Sequence, residues 1–468
     1  MQSRRDQVQA QTYVLGRLTG ALVSAEPDGL ENPNRRMVVG AISGLLVAAL
    51  VVAGFTIYGF IVPGGSSKWR AAGALVLEKE TGTRYVFVDG TLRPVLNYSS
   101  ARLLFEKEPK VVSVSTRSLK EVPHGQPVGI VGAPDALPAP GTVAAQAWTV
   151  CALANRDQAG ALSTATTLTI ERVVDGPRRD RPLGADDAIV ATAAGESFLV
   201  WRGRRLRIAE PWLARVLGYD RSAFAVEAGW LESVPVGPDL APLTIPGRGT
   251  AGPVIDGRQA HVGELFVART ASPPERRYLL QRDGLAELTP LAYTIAAADP
   301  ETTKLYGGRP AVPFELSPGA LAQLPVSRQA VLPAGLPETP PRLAEVAGGG
   351  TWCVRHTMAD GGVEVTADLP VLASAAVRDG VGLTRTSRTA ARVAVEPGVG
   401  GLVLAGRVDQ AAGSGFYLVT DAGVKFPLAS GAVAEQLGYP SAGARPVPRR
   451  LLEMLPTGPL LESALARR

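Results

Sequence analysis

The chain is poor in the residues that most often carry chemistry. Among 468 residues there are two cysteines, three histidines and four methionines. No Gly-Lys-Ser/Thr occurs anywhere, which excludes phosphate cradling by a P-loop. His-Glu-x-x-His, Cys-x-x-Cys and Gly-x-Ser-x-Gly are also absent, so the zincin, dithiol and serine-hydrolase signatures are missing. His124, His261 and His356 stand alone in loop-like contexts and read as surface or structural residues. The acid pair Asp186-Asp187 reads as solvated turn, and the Gly-rich stretch Val395–Gly401, which has no Lys, as a tight turn. No catalytic residue, cofactor-binding residue or metal ligand is assigned. Charge is sparse too, at 19% of residues. The excess of 48 bases over 43 acids is spread along the chain and leaves no nucleic-acid footprint.

What is present begins with one long apolar run. Met37 to Val62 is 26 residues without a charge, and its only polar side chains are Ser43, Thr56 and Tyr58. At ~1.5 Å per residue a helix of that length crosses a ~30 Å hydrocarbon core with some tilt. Arg35 and Arg36 bound it on one side, and Pro63, Gly64 and Gly65 on the other. A buried core helix is the alternative, but such helices rarely run so long without polar punctuation. A signal peptide fits badly, because its apolar region is shorter and nearer the start. Gly40 and Gly44 form a GxxxG within the run, a spacing that lets a second helix approach closely. The preceding tail carries Val14, Leu15, Leu18 and Leu22 at helical spacing and ends at Glu26-Pro27-Asp28-Gly29. This is a short amphipathic helix for a membrane surface or a partner, or a plain solvated helix. The arginines Arg4, Arg5, Arg17, Arg35 and Arg36 face Lys68, Arg70 and Lys79 across the run. That bias does not settle orientation, although the Arg pair abutting the run leans towards a cytoplasmic tail.

Beyond the run the informative feature is repetition. Four stretches show alternation, a Gly turn and more alternation: Tyr85 to Leu92, Phe198 to Leu206, Tyr278 to Leu285 and Phe416 to Val424. Each reads as a β-hairpin whose Gly supplies the positive φ of the turn. Each is followed by a short helical run and then a Pro, at Pro123, Pro235, Pro325 and Pro456. From turn Gly to Pro the distances are 33, 32, 41 and 33 residues. The second and fourth copies share Leu-Gly-Tyr (ending at Tyr219 and Tyr439) and Leu-Glu-x-x-Pro-x-Gly-Pro (from Leu231 and Leu452).

The two cysteines sit in register with these copies. Cys151 lies 28 residues after Pro123, and Cys353 lies 28 after Pro325. Each has a Trp close before it (Trp148, Trp352) and follows a Pro-rich link. Two unrelated buried thiols and one disulfide both remain open, but equivalent strands meeting at a pseudo-two-fold axis favour pairing. A disulfide would require an oxidising exterior.

At the residue level the chain resembles a known family. The segments Glu80 to Gly90, Leu92 to Leu104, Gly129 to Pro138 and Trp148-Thr149-Val150-Cys151 resemble EccB, the membrane-anchored core component of the type VII (ESX) secretion system of actinobacteria. The likeness extends over the whole chain. It implies an inner-membrane protein with a cytoplasmic N-terminus and an extracytoplasmic body in which Cys151 and Cys353 are bridged. It implies assembly with an EccC-like motor ATPase and with EccD-like and EccE-like membrane subunits in a hexameric complex, and contact with a mycosin protease. Some family members are labelled ATPases. ATP is expected here by that labelling only, since no nucleotide site is recognised in the sequence.

The fold expected is α+β and β-rich: one N-terminal transmembrane helix and an elongated body of four αβ repeat modules around a central β-domain. The boundaries expected are 1–36 for the cytoplasmic amphipathic tail, 37–62 for the transmembrane helix, and 63–130 for module one. The central domain takes 131–190 and 331–408; modules two, three and four take 191–245, 246–330 and 409–468. The function expected is a structural membrane subunit that anchors and stabilises a secretion complex in the plasma membrane. A weak ATP-hydrolysing or wall-acting enzyme of the same system is the alternative.

Overall fold

The computed structural model describes residues 3–24, 33–61, 67–105, 108–156, 162–174, 180–220, 223–268, 275–345, 351–367, 375–377, 379–406 and 415–467. The expected stop signals at Pro63-Gly64-Gly65 and Glu26 to Gly29 lie outside these residues. The chain forms two compact units, Met1–Pro94 with Lys110–Gly125, and Val95–Pro109 with Gln126–Arg468.

The first unit opens with helices α1 (Arg4–Ser24) and α2 (Pro33–Ile61). In α1 the apolar Val8, Leu15, Leu18 and Leu22 are all exposed. The apolar segment Arg36–Tyr58 of α2 is long enough to cross a membrane, and none of it is buried in the protein. A helix that is apolar all round and unburied has the length and composition of a membrane span. The strands β1 (Ala74–Glu78), β2 (Arg84–Val88) and β3 (Thr91–Pro94) follow. The next helix, α3 (Tyr98–Leu104), belongs to the second unit, and β4 (Lys110–Val114) and α4 (Thr116–Leu119) complete the first. The sheet order is β3-β2-β1-β4, with β4 parallel to β1. Trp69, Val76, Leu92 and Leu119 fill its core. The β2–β3 turn is Asp89-Gly90, with φ of 48° and 77°, the paired positive values a two-residue hairpin needs.

The second unit is built around a seven-stranded sheet. Its first strands are β5 (Gln146–Arg156), β6 (Leu162–Arg172) and the short β7 (Arg181–Pro182). A second four-strand path follows: β8 (Asp187–Ala193), β9 (Glu196–Trp201), β10 (Arg204–Arg207), helix α5 (Pro211–Val216), β11 (Ala223–Ala225) and helix α6 (Ala228–Ser233). A hairpin, β12 (Ala251–Ile255) and β13 (Arg258–His261), leads to the third sheet. That sheet contains β14 (Leu265–Ala268), β15 (Arg276–Gln281), β16 (Gly284–Glu287) and β17 (Phe314–Leu316), with helices α7 (Pro290–Ala298), α8 (Pro300–Leu305) and α9 (Pro318–Gln323). After β18 (Arg342–Leu343) the chain returns to the central sheet as β19 (Trp352–Thr357), β20 (Val363–Ala367), β21 (Ala375–Ala376) and β22 (Arg392–Val395). The fourth sheet has β23 (Gly401–Ala405), β24 (Phe416–Val419), β25 (Lys425–Pro427), helix α10 (Gly431–Gln436), β26 (Arg445–Val447) and helices α11 (Arg449–Glu453) and α12 (Ser463–Ala466).

All four small sheets share one strand order, third-second-first-fourth, with the fourth strand parallel to the first. The second sheet also pairs β18 along β8. The first strand of the second sheet starts at Asp187, ahead of the 191 boundary, and that of the fourth at Gly401, ahead of 409. The central sheet runs β21-β22-β6-β5-β19-β20-β7. One of its faces carries Trp148, Val150, Leu168, Ile170, Val354 and Val365, and packs on the second and fourth sheets through Val200, Trp230, Val403 and Leu451. Further cores continue from there. The second and third sheets share Leu206, Tyr219, Leu279 and Ile295; the fourth shares Leu418 and Phe426 with Leu103 of α3.

Candidate functional site

The centre of the second unit is the β5–β19 pair. The two strands are antiparallel, and their register sets Cys353 directly opposite Cys151. The residues form a disulfide across a sequence separation of 202, and both are fully buried. On the chain-entropy account a bridge closing so long a loop stabilises by about 5 kcal/mol. Burial makes it a staple between two halves of one sheet and keeps it away from exchange partners.

The second and fourth sheets hold this centre with matching anchors. Tyr219 donates its hydroxyl to the Pro341 carbonyl (3.0 Å), and Tyr439 donates to the Pro138 carbonyl (2.6 Å). Each tyrosine thereby ties its sheet to the Pro-rich link ahead of one of the cysteine strands. Burial pushes both phenols well above their ordinary pKa. A cation then reaches back to the helix that follows in the same sheet. Arg205 Nη1 donates to the Leu231 carbonyl (3.1 Å), while Lys425 Nζ donates to the carbonyls of Leu452 (2.6 Å) and Leu455 (2.8 Å). Burial lowers the Lys425 amine to about 8, against a smaller opposing pull from Glu453. At the equivalent place in the first and third sheets stand Leu92 and Leu285, whose backbone N–H groups bond Pro123 and Pro325 as those of Arg205 and Lys425 bond Pro235 and Pro456.

The expectation that all three histidines occupy loops is corrected at His261, the last residue of β13, and more fully at His356. His356 lies within β19, opposite Trp148, and is 4% exposed. The run Trp352-Cys353-Val354-Arg355-His356 hides its strand because both faces of the sheet are buried there, so polar and apolar residues do not alternate. Burial lowers the imidazole to about 4, partly offset by its bond to the Ser233 backbone, so the ring is neutral at physiological pH. His124 packs edge-on against Tyr85 at 5.4 Å, and His261 lies 3.5 Å from Glu264. Beside His356 a cleft of ≈ 600 Å³ opens between the second and fourth sheets. No sequence signal marked it, since its walls come from three distant segments.

Among the described residues no group of His, Cys, Asp and Glu is placed to hold a metal ion. The ionic cluster near the cleft is a network of pairs: Arg388 with Glu453 (2.7 Å) and Glu232 (3.8 Å), and Arg449 with Glu453 (3.0 Å). Burial raises the Glu453 carboxyl, but the bonds from Arg388 and Arg449 outweigh it and leave the pKa below its ordinary value. Gly40 and Gly44 sit on α2 with nothing within 4 Å of where a Cβ would stand.

The family described as "Type VII secretion system ESX-1, transport TM domain B" matches residues 1–468. The chain is 28% identical to the "ESX-3 secretion system ATPase EccB3" of Mycolicibacterium smegmatis, covering 98% of this chain and 89% of that protein. It is 27% identical to the "ESX-5 secretion system ATPase EccB5" of Mycobacterium tuberculosis over 74% of this chain and 67% of that protein. Its fold is similar to a chain of the intact ESX-5 inner membrane complex, with a TM-score of 0.68, 24% identity and coverage of 100% and 95%. It is also similar to the EccB3 dimer from the ESX-3 core complex, with a TM-score of 0.66, 25% identity and coverage of 84% and 100%.

Proposed function

Since the chain belongs to the EccB family and is a structural membrane subunit of a type VII secretion system, we propose that it anchors and stabilises the complex through its outer sheets. The observation that carries this reading is the family match along the whole chain, apolar helix included. In the arrangement proposed, α1 lies on the cytoplasmic side, α2 spans the plasma membrane, and the body stands outside it. The Cys151–Cys353 bridge supports this orientation, because disulfides persist in oxidising compartments. Two free thiols by non-reducing mass spectrometry of the membrane-embedded protein would overturn it.

The four small sheets are, on this reading, copies of one αβ module, and the two halves of the body are related by a pseudo-two-fold axis through the disulfide. The shared strand order supports the first statement. The matching tyrosine anchors, each set on the opposite link, support the second. The symmetry is incomplete at the rim, where β22 runs parallel to β6 while β7 runs antiparallel to β20. Repeat surfaces of this kind bind partners. The partners proposed are an EccC-like motor ATPase, EccD-like and EccE-like subunits, a mycosin protease and further copies of this chain in a hexameric assembly. Solved relatives sit within ESX inner membrane complexes and as a dimer, which supports association with such components.

Detergent extraction from native membranes tests the proposal. The protein is expected to co-migrate with a motor ATPase in a large complex; migration alone would sink the scaffold reading. In the same assay Gly40→Leu with Gly44→Leu is expected to shrink the complex if that face of α2 packs on another helix. The names of the relatives favour a second reading, ATP hydrolysis. Turnover by the purified full chain above a contaminant control, abolished by one point change, would establish it.

A further inference from the structure

The ≈ 600 Å³ cleft is formed where Val234–Val236, the turn joining β19 to β20, and the β26–α11 corner converge. Most of its lining is apolar: Val234, Pro235, Val236, Pro446, Pro448 and Leu451. Val236 is 61% exposed, next but one to the fully buried Val234.

Its lining carries Arg445 and Arg450 together with two acids, Glu232 and Asp360, and the arginines are the unpaired side. Neither arginine has a carboxylate partner among the described residues. Arg450 makes only a long bond to the Glu232 backbone carbonyl, at 3.3 Å. Of the acids, Glu232 in the lining faces Arg388 at 3.8 Å, and Glu453 behind it is held by Arg388 and Arg449. Asp360, at the hairpin turn, accepts the Gly362 N–H. A second observation points the same way. His356 forms part of the wall, is almost wholly buried, and its Nε2 has no hydrogen-bond partner. In a neutral imidazole with the other nitrogen protonated, Nε2 is an acceptor, so it calls for a donor.

We propose that this cleft docks an extended acidic peptide segment of a partner protein, with carboxylates on Arg445 and Arg450, apolar side chains along Val236 and Pro446, and a backbone N–H on His356 Nε2. Guanidinium groups recognise carboxylates through paired, charge-assisted bonds. A lipid acid or free anion would satisfy the arginines but brings no N–H for His356, and a basic or neutral peptide would leave the arginines unmatched. The inference goes beyond the scaffold reading, which co-migration tests separately; a protein that assembles normally yet binds no such peptide would fail this proposal alone.

Fluorescence anisotropy on the full chain in nanodiscs provides the test, with a short labelled peptide of alternating glutamate and valine. Saturable binding is expected, weaker by about tenfold or more for the glutamine-for-glutamate peptide, and that preference is expected to vanish in R445Q/R450Q. Ala359→Trp, at the exposed hairpin turn, is a second variant that blocks the cleft from its rim and is expected to abolish binding of both peptides. Equal affinity for the two peptides, or an unchanged preference in R445Q/R450Q, overturns the proposal. Displacement of the peptide by an equal concentration of inorganic phosphate also overturns it, because the cleft would then take an anion and not a peptide.

Discussion

The second and fourth sheets solve one problem with different chemistry. Both seat on the same face of the central sheet, and both tether a Pro-rich link by a tyrosine hydroxyl. Where the second sheet inserts Trp230 and Arg205, the fourth inserts Leu451 and Lys425. Trp230 also donates its indole N–H to the Trp352 carbonyl at 2.9 Å, a bond that leucine cannot make. The geometry of the seat is therefore kept, while the means of filling it varies. Strand order and the tyrosine tether are common to these two sheets, and the side chains at the contact differ in volume and charge.

Truncating the two fillers is the strongest way to break this equivalence. Trp230→Ala removes a fully buried ring and its hydrogen bond, and is expected to cost about 3–5 kcal/mol. Leu451→Ala is expected to cost about 2–5 kcal/mol, nearer the lower end because no hydrogen bond is lost. Urea unfolding of the two variants ranks them. A Leu451→Ala loss equal to or above that of Trp230→Ala would mean the fourth sheet, not the second, dominates the seat.

Much of this was legible in the sequence, for identifiable reasons. Asp89-Gly90 and Arg202-Gly203 both take the positive φ pairs that a tight hairpin requires, so short-range chemistry announced the turns. The equal spacing of Cys151 and Cys353 from their Pro signals anticipated equivalent strand positions, and the register sets them opposite each other. The fourth strand of each sheet was not legible. Arg445-Pro446-Val447 is three residues long and contains a proline, and it pairs in parallel with a strand some forty residues earlier. Such pairing is decided by tertiary contact, and local pattern does not report it. His356 was misread for a related reason: a strand buried on both faces loses its alternation.

The exchanged cations sharpen the comparison further. Lys425→Met leaves the buried Leu455 carbonyl without a donor and takes one of two from that of Leu452, which keeps the Leu455 N–H; Arg205→Met takes one of two from the Leu231 carbonyl, which keeps the Val234 N–H. The first is expected to cost about 1–3 kcal/mol and the second less. Their pH dependence should differ in kind. The Lys425 amine titrates at about 8 in the fold and at 10.5 as a free side chain. Between those values the unfolded chain holds the extra proton, so stability rises as pH climbs from 8 to 10.5. Denaturation across that window is expected to show the rise in the parent and in Arg205→Met, and a flatter profile in Lys425→Met. An identical slope in all three would show that Lys425 is not the titrating group.

The tyrosine tether is where the two sheets should behave most alike, and where the effect is smallest. Each hydroxyl is buried and donates a single bond to a proline carbonyl, at Pro341 or Pro138. Removing the oxygen while keeping the ring loses about 1 kcal/mol, because packing is retained and one carbonyl loses its donor. Tyr219→Phe and Tyr439→Phe are therefore expected to destabilise by similar amounts. The combined variant is expected to lose close to the sum, since the two tethers hold different links and share no partner. Thermal unfolding of the two single variants and the double measures this. A large loss in one and none in the other would mean that one link is held by its remaining contacts alone, and the functional pairing of the two sheets would then rest on sheet order rather than on the tether.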